Sequence, residues 1–400
     1  MASHSSLQRI LFAGSLLSFI LAGYTGFAYR LGLIGWLPEM MSLENIRHAH
    51  SHLMFFSWAV PLPMAVFTHY LKGQQIAAKS VRNLQYAVLF ILVTGLLTYP
   101  FFLFYGYRPV IFGEIQMPFS VIFSGVVMVG WYLFTFFYVR IRSQLKESAA
   151  SPLFDSALVM LNISSLGAWG VAVVQNMSPD LAILSKALTH FFLAVFTEGW
   201  CLLSTLAILW WIFKVREKPA AWPQYALMLA APFLFTIGLR ALDLHLTILL
   251  VTKLALVLGV IALYYLGTHL YKNRPPLHFT HKSILFLLAG LIAIKISALV
   301  APIDYWIYDY GFRIFYLHLL LLGVLSLSLF QWLCQRFAIG KITMFLIHTS
   351  ILLVLVSLLA LTKLWPMQWQ STWIPWFVAG IALLPPTLAL LLLVRIPFVK

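Results

Sequence analysis

Residues 283–300 read SILFLLAGLIAIKISALV, a stretch in which Lys295 is the one charged side chain. A run of about 20 apolar residues is long enough to cross the hydrocarbon core of a bilayer as an α-helix. Similar runs recur along the whole chain of 400 residues, of which 62% are hydrophobic and 9% are charged. A soluble domain has about a quarter of its residues charged. The sequence therefore predicts an integral membrane protein.

Twelve such runs can be delimited, and we call them spans 1 to 12 in chain order. They predict an all-α, polytopic membrane protein with about 12 transmembrane helices, forming a single helical bundle domain over residues 1–400. The predicted spans run near Ile10–Tyr29, His48–Leu71, Leu84–Tyr105, Met117–Val139, Leu153–Val174, Leu181–Phe213, Gln224–Leu242, Leu246–Tyr271, Ser283–Val300, Phe312–Leu333, Ile342–Leu361 and Trp373–Leu393.

The charged residues predict the orientation of these spans. Most of the 26 lysines and arginines lie at the termini and in the loops after even-numbered spans, and most of the 11 acidic residues lie in the other loops. Because basic loops stay in the cytoplasm, both termini are predicted to be cytoplasmic, in a multi-pass protein of the cell inner (cytoplasmic) membrane. The net charge of +15 records this bias and gives no indication of nucleic acid. Cys201 and Cys334 lie far apart, which excludes a disulfide framework and a covalently attached c-type haem.

Histidines concentrate in three spans that enter the membrane from the predicted outer side. His48, His50 and His52 open span 2, His190 lies in span 6, and His318 lies in span 10. At 1.5 Å per residue, the last two lie about 14 Å and about 9 Å below the outer surface. A histidine buried in a membrane is costly and usually functional, so the pattern predicts a site in the outer half of the protein.

Helical phase divides the histidines of span 2 into two groups. At about 100° per residue, His48 and His52 share one face and His50 points about 200° away. One metal ion is therefore not expected to take all three rings. We expect His50 to bind one cofactor, and His48 and His52 to contact a second group or water. Interfacial hydrogen bonding is the alternative for the latter two.

Cationic side chains accompany the histidines on the same side of the membrane. Their number suggests an anionic ligand, such as the propionates of a haem, because a charge inside a membrane needs a partner or a polar cavity. For Lys186 and Lys295 the alternative is that the side chain reaches to the outer interface. The six residues are Arg47, Arg240 and Arg313 at the ends of spans, and Lys186, Lys253 and Lys295 within them.

Glu198 is the one acidic residue deep in a span, eight residues inward of His190. Two interpretations are open for it. It is either a carboxyl group that relays protons or a neutral acid that is hydrogen-bonded inside the bundle.

The histidine-bearing segments resemble those of subunit I of the haem-copper oxidases, in the branch of the cbb3 oxidases and nitric oxide reductases. Span 2 reads Arg47-His48-Ala49-His50-Ser51-His52-Leu53-Met54-Phe55-Phe56, similar to the family segment that supplies a low-spin haem ligand. Span 10 has Tyr316-Leu317-His318, and span 6 has Thr189-His190-Phe191-Phe192. The resemblance implies that His50 and His318 are the axial ligands of a haem b and that His190 lies at a copper site. A weaker resemblance is to NnrS-type membrane haem proteins.

The sequence also departs from this family. Span 7 contains no histidine, where the family takes two copper ligands, and Tyr316 occupies the place of the high-spin haem ligand. A tyrosinate can bind haem iron. We therefore expect a degenerate second centre at His190, holding copper or a second haem, with His48, His52 or Tyr316 as further ligands.

These features lead to one hypothesis and two alternatives. The hypothesis is a b-type haem protein that transfers electrons, or an oxidoreductase that reduces NO or O₂ with Glu198 and Tyr316 as catalytic residues. Arg47, Arg240 and Arg313 would neutralise the propionates. Expected partners are the lipid bilayer and an electron-donor cytochrome or accessory subunit. The first alternative is a transporter or sensor that binds haem, a metal or an anion in an outward-facing cavity. The second is an assembly protein whose histidines are vestigial.

Overall fold

The computed structural model describes residues 2–39, 41–71, 74–177, 181–233, 246–274, 278–300 and 310–395. Within these ranges, eleven helices are long and apolar enough to cross a membrane. The prediction of an all-α, multi-pass membrane protein is thereby confirmed. For span 7, predicted at Gln224–Leu242, the structure has a short helix at Trp222–Ala230 and a 3₁₀ turn at Ala231–Phe233. The rest of that span lies outside the described residues.

The helices correspond to the apolar runs of the sequence, and three of them contain a π-helical segment. The two strands form a small antiparallel hairpin between spans 3 and 4. The α-helices are α1 (Ala2–Leu33), α2 (Leu43–Met54), α3 (Pro61–Tyr70), α4 (Ala78–Tyr105), α5 (Phe119–Arg142), α6 (Ser151–Met177), α7 (Ala182–Ala194), α8 (Leu202–Ile212), α9 (Trp222–Ala230), α10 (Leu246–Lys272), α11 (Phe279–Val300), α12 (Tyr310–His318), α13 (Leu327–Arg336), α14 (Lys341–Leu359), α15 (Ile374–Ala382) and α16 (Leu384–Arg395). The strands are β1 (Val110–Phe112) and β2 (Ile115–Met117), the π-helical segments are π1 (Phe55–Ala59), π2 (Val195–Cys201) and π3 (Leu319–Ser326), and a second 3₁₀ turn is at Met367–Trp369.

The chain divides into two compact units. The first comprises Met1–Lys146, Cys334–Ser357 and Gln370–Lys400, and the second comprises Glu147–Leu333 and Leu358–Trp369. His48, His50 and His52 belong to the first unit, and His190, Glu198, Lys295, Tyr316 and His318 belong to the second.

In the first unit, α1 packs against α2, α4, α15 and α16, and α4 also packs against α5. Buried amides fix span 2 between its neighbours. The Gln8 side chain donates to the carbonyl of Ala65 over 2.8 Å, and Gln85 donates to the Gln8 side-chain oxygen over 2.6 Å. Buried amide groups are costly unless they are hydrogen-bonded, so this arrangement holds spans 1, 2 and 3 in one register.

In the second unit, α6 packs against α7, π2 and α8, and α10 packs against α9 and α11. The two π-helical segments of this unit contact each other, and π3 also contacts α8 and α11. Spans 6, 9 and 10 therefore meet around π2 and π3.

The three π-helical segments lie in the three spans that carry the predicted site histidines. They begin three residues after His52, five after His190 and directly after His318. In span 2 the cause is visible in the sequence. Pro61 has no N–H to donate to the carbonyl of Ser57, and its ring crowds that carbonyl, so the helical ladder changes register there. Such π-helical turns are frequent at functional sites.

Burial sets the same three spans apart. The most apolar windows of spans 2, 6 and 10 are 83%, 89% and 72% buried, whereas those of the other candidate spans are 33% to 50% buried. A helix that is apolar around its whole circumference can be buried in the protein or face lipid. The histidine-bearing spans are thus interior helices, which the sequence alone did not distinguish from the lipid-facing ones.

Candidate functional site

In the first unit, the His50 side chain turns toward span 1. Its Nδ1–H donates a 2.8 Å hydrogen bond to the carbonyl of Ala22. A Cβ atom at Gly26 would lie 3.0 Å from Cε1 of His50, so the glycine supplies the space that the ring occupies. Because a carbonyl can only accept, the hydrogen bond fixes the tautomer whose lone pair is at Nε2. That tautomer is the one in which Nε2 can bind a metal.

His48 and His52 turn to the other side of the same helix, toward span 3, as the helical phase predicted. The His52 ring stacks on Phe102 with centroids 3.8 Å apart, and its Nδ1 donates to the carbonyl of His48 over 2.9 Å. The His48 ring meets the edge of Tyr107 at 4.7 Å. The two histidine rings are 6.1 Å apart, so they form a pair separate from His50.

Glu44 connects this pair to the cationic residue beside it. One of its carboxylate oxygens lies 3.5 Å from Nε2 of His48 and 3.5 Å from the Arg47 guanidinium. The Glu44 and Arg47 side chains are well exposed, and exposed ion pairs of this kind contribute little to stability. Arg47 is therefore at the surface of the first unit, with Glu44 as a partner.

In the second unit, Glu198 is the centre of a buried charged cluster. Its carboxylate lies 2.6 Å from the ammonium of Lys295 in span 9. The hydroxyl of Tyr316, in span 10, donates to the other carboxylate oxygen. The Lys295 ammonium also lies over the Tyr316 ring, 5.4 Å from its centroid. Glu198 and Lys295 are 2% and 3% exposed, so each charge has its counter-ion inside the protein rather than in solvent.

This cluster decides between interpretations that the sequence left open. Lys295 is paired with a carboxylate, so its side chain does not reach to the outer interface. The hydroxyl of Tyr316 donates its hydrogen bond to Glu198. Lys186 and Lys253 are both exposed.

Three further candidate residues, His190, Arg313 and His318, lie in the second unit. His318 ends α12 and donates from Nδ1 to the carbonyl of Ile314 over 2.8 Å, which again leaves the lone pair at Nε2. His190 is buried, and Arg313 is half-buried one turn before Tyr316. Arg240 lies outside the described residues.

Sequence reasoning did not identify Lys295 as the partner of Glu198, nor Ala22 and Gly26 as the residues that hold the His50 ring. A single lysine in an otherwise apolar run is a signal that a carboxylate lies within reach, because an unpaired charge is rare in a span. Gly26 carried no comparable signal, since a glycine in a transmembrane helix is common.

Within the described ranges, no three side chains of His, Cys, Asp or Glu are grouped to hold a metal ion.

The fold and these sites define a class: a multi-pass, all-α membrane protein with polar side chains in the interior spans 2, 6 and 10, joined in the second unit by Lys295 of span 9. Comparison of the chain with models of known protein families and with curated proteins finds no match.

Proposed function

We propose that this chain is a b-type haem protein of the cell inner membrane, with both termini in the cytoplasm. His50 and His318 are the proposed iron ligands. The observation that carries the proposal is the environment of His50. The carbonyl of Ala22 accepts a hydrogen bond from its Nδ1, and Gly26 leaves room for the ring. An imidazole held in this way presents Nε2 to a metal, and the carbonyl partner raises the basicity of that nitrogen.

His318 supports the same chemistry. Its Nδ1 is bound to a backbone carbonyl, so its neutral tautomer also carries the lone pair at Nε2. A haem with two imidazole ligands supplies one-electron transfer. The protein's own contribution is to hold the imidazoles, to orient them and to exclude water from them. Arg47, Arg240 and Arg313 are the proposed partners of the propionates, and an electron-donor cytochrome or accessory subunit is the proposed partner protein.

A second centre at His190, holding copper or another haem, would make the protein an oxidoreductase that reduces NO or O₂. This part of the proposal rests on the burial of His190 in a span with a π-helical segment. In such an enzyme, Glu198 would hold and pass protons.

The experiment is a reduced-minus-oxidised spectrum of the purified protein, recorded with and without CO. We expect b-type bands that CO does not change, because two imidazoles leave the iron without an open position. His50→Gly and His318→Gly should each lose these bands, and added imidazole should restore them. The restoration separates the loss of an iron ligand from the loss of the fold.

The matched controls are two other buried histidines, His348→Gly in the first unit and His281→Gly in the second. Both should retain the haem bands. A wild-type protein without haem from a haem-sufficient host would refute the proposal, as would full retention of the bands in either ligand variant. CO-sensitive bands that disappear in His190→Ala would establish the second centre.

A further inference from the structure

The loop that follows α8 is anchored to the end of α10. The backbone carbonyl of Glu217 accepts hydrogen bonds from Nε1 of Trp210 in α8 and from Nε2 of His269 in the last turn of α10, each over 3.4 Å. The loop begins at Lys214, whose φ of 52° is left-handed and whose N–H donates to the carbonyl of Trp211 over 3.1 Å. These contacts hold the loop beside the last turn of α10, within the second unit.

This junction brings basic side chains together at the surface. We call four of them the basic junction: Lys214, Arg216, Lys272 and Arg274. Arg274 is half-buried and the other three are exposed. Glu217 is the one acid in residues 213–221 and 268–274, and a further lysine, Lys218, is paired with Glu147. The basic junction therefore carries a clear excess of positive charge.

An exposed apolar stripe of α10 leads to the basic junction. Its members recur at helical spacing, so they lie on one face of the helix. They are Leu254, Val257, Ile261, Tyr264 and Tyr271. At 1.5 Å per residue the stripe is about 25 Å long, which is most of the hydrocarbon thickness of about 30 Å. Lys272 follows directly after its last member.

Aromatic rings lie at the end of this stripe. The guanidinium of Arg274 lies 4.0 Å from the centroid of the Tyr271 ring. Trp222, which is exposed, contacts Tyr265 with ring centroids 5.4 Å apart, and Tyr265 in turn lies against His269. Tryptophan and tyrosine are enriched where a membrane protein crosses the headgroup level of the bilayer. The basic junction thus lies at the depth of the lipid phosphates.

The chemistry of this surface specifies the lipid that it recognises. Ammonium and guanidinium groups donate strong hydrogen bonds to phosphate oxygens. A zwitterionic headgroup carries a cation of its own, which opposes binding to a basic surface, whereas an anionic headgroup does not. We propose that the basic junction binds one anionic phospholipid, with its phosphate between the loop after α8 and the end of α10 and an acyl chain along the stripe.

Basic loops are expected on the cytoplasmic side of any membrane protein, so positive charge alone would not indicate a site. Two observations set this surface apart. The carbonyl of Glu217 joins two basic segments that are about fifty residues apart in the chain. A lipid-facing stripe also ends at these segments, so that one molecule can contact the charges and the apolar surface together.

The experiment uses the purified full-length protein in a neutral detergent, with dioleoyl phosphatidylglycerol and dioleoyl phosphatidylcholine as probes. Thermal stabilisation is recorded as each lipid is added. We expect phosphatidylglycerol to stabilise the wild type at a lower concentration than phosphatidylcholine. This preference should shrink when sodium chloride is raised from about 50 mM to about 500 mM, because salt screens exposed charges.

A pair of charge-removing variants with a matched control locates the site. Arg216→Gln with Lys272→Gln should weaken the apparent affinity for phosphatidylglycerol by about twentyfold, since each cation near a membrane surface contributes about fivefold. Lys79→Gln with Arg82→Gln removes the same charge from exposed positions at the predicted cytoplasmic end of span 3. This control pair should bind phosphatidylglycerol as the wild type does.

Free glycerophosphate distinguishes a lipid from a soluble phosphate ester. It should neither stabilise the protein nor compete with phosphatidylglycerol, because it has no acyl chain for the stripe. Stabilisation by glycerophosphate equal to that by the lipid would assign the site to a soluble ligand and overturn the proposal.

Three further results would overturn it. They are equal stabilisation by the two lipids, a preference that does not respond to salt, and equal losses of affinity in the two variant pairs, which would indicate a general attraction between charges. The salt dependence is measured on the wild type, so it tests the proposal even if a variant does not fold. The inference does not rest on haem binding, and the haem spectrum is read separately.

Discussion

Gly26 in span 1 lies directly against the imidazole of His50 in span 2. A Cβ atom at position 26 would be 3.0 Å from Cε1 and 3.1 Å from Nδ1 of that ring. These distances are shorter than ordinary van der Waals contact. The absence of a side chain on Gly26 is therefore what allows His50 to reach the carbonyl of Ala22.

Gly26→Leu should displace the His50 ring and break its hydrogen bond to Ala22. If His50 is an iron ligand, we expect the low-spin haem bands to be lost although both proposed ligands are still present. The measurement is the haem content per protein together with the reduced spectrum. Gly380→Leu is the matched control, because a Cβ at position 380 has no neighbour within 4 Å. Normal haem bands in Gly26→Leu would show that the orientation of His50 does not matter to the cofactor.

Glu198 and Lys295 should contribute to stability in a strongly non-additive way. Removing one partner leaves the other as an uncompensated buried charge, which costs about 3–5 kcal/mol. Replacing both by apolar residues removes both charges, and such replacements are often close to neutral. We therefore expect Glu198→Leu alone to lower the free energy of unfolding by about that amount and the double variant with Lys295→Met to recover most of it. Titration with SDS in mixed micelles measures both values, and additive losses would contradict the pairing.

Gly95 in span 3 should be required for the packing of π1. A Cβ at this position would lie 2.4 Å from Oγ of Ser57 and 3.0 Å from the carbonyl oxygen of Phe56. The second contact is with backbone, which cannot move aside cheaply. We expect Gly95→Ala to lower the free energy of unfolding by about 1–3 kcal/mol, as overpacked cores do. Gly290→Ala is the control, since its Cβ would meet open space, and it should be neutral or slightly stabilising.

The predicted orientation can be tested with single cysteines. Cys201 and Cys334 are both buried, so a membrane-impermeant maleimide should label the wild type poorly in intact cells. Glu114→Cys, in the hairpin after span 3, should be labelled from outside, because that loop is predicted to face outward. Gln144→Cys, in the loop after span 4, should be labelled only after the membrane is opened. The reverse pattern would place the termini on the outside.

The fold could be predicted from the sequence because a bilayer imposes a length and a composition on each span. Eleven of the predicted spans have a counterpart among the long helices that the structure describes. The π-helical segments could not be predicted in spans 6 and 10, where no proline forces the change of register as Pro61 does in span 2. The burial of spans 2, 6 and 10 could not be predicted from the sequence either, because lipid and the protein interior favour the same apolar side chains.

The candidate site residues could be predicted where an ionisable side chain lies in an otherwise apolar span. Histidines and a carboxylate stand out in apolar runs, so His50, His318 and Glu198 could be identified as candidates. Their partners could not be identified, because the contacts join residues far apart in the chain. Tyr316 and Lys295 are separated from Glu198 by about a hundred residues. The acceptor of the His50 hydrogen bond is a backbone carbonyl, and every residue has one, so the sequence gives no sign of which carbonyl it is.

The first unit is discontinuous in the chain, and this has a consequence for biogenesis. Its helix α1 packs against α15 and α16. A Cβ atom at Gly23 would lie 2.8 Å from Cβ of Pro386, and the Tyr24 hydroxyl is 3.3 Å from the Thr387 hydroxyl. A ribosome delivers α1 to the membrane before α15 and α16. Helix α1 must therefore wait, with one flank exposed to lipid or to an insertion factor, until α15 and α16 have been synthesised, whereas most of the second unit is synthesised as one uninterrupted segment.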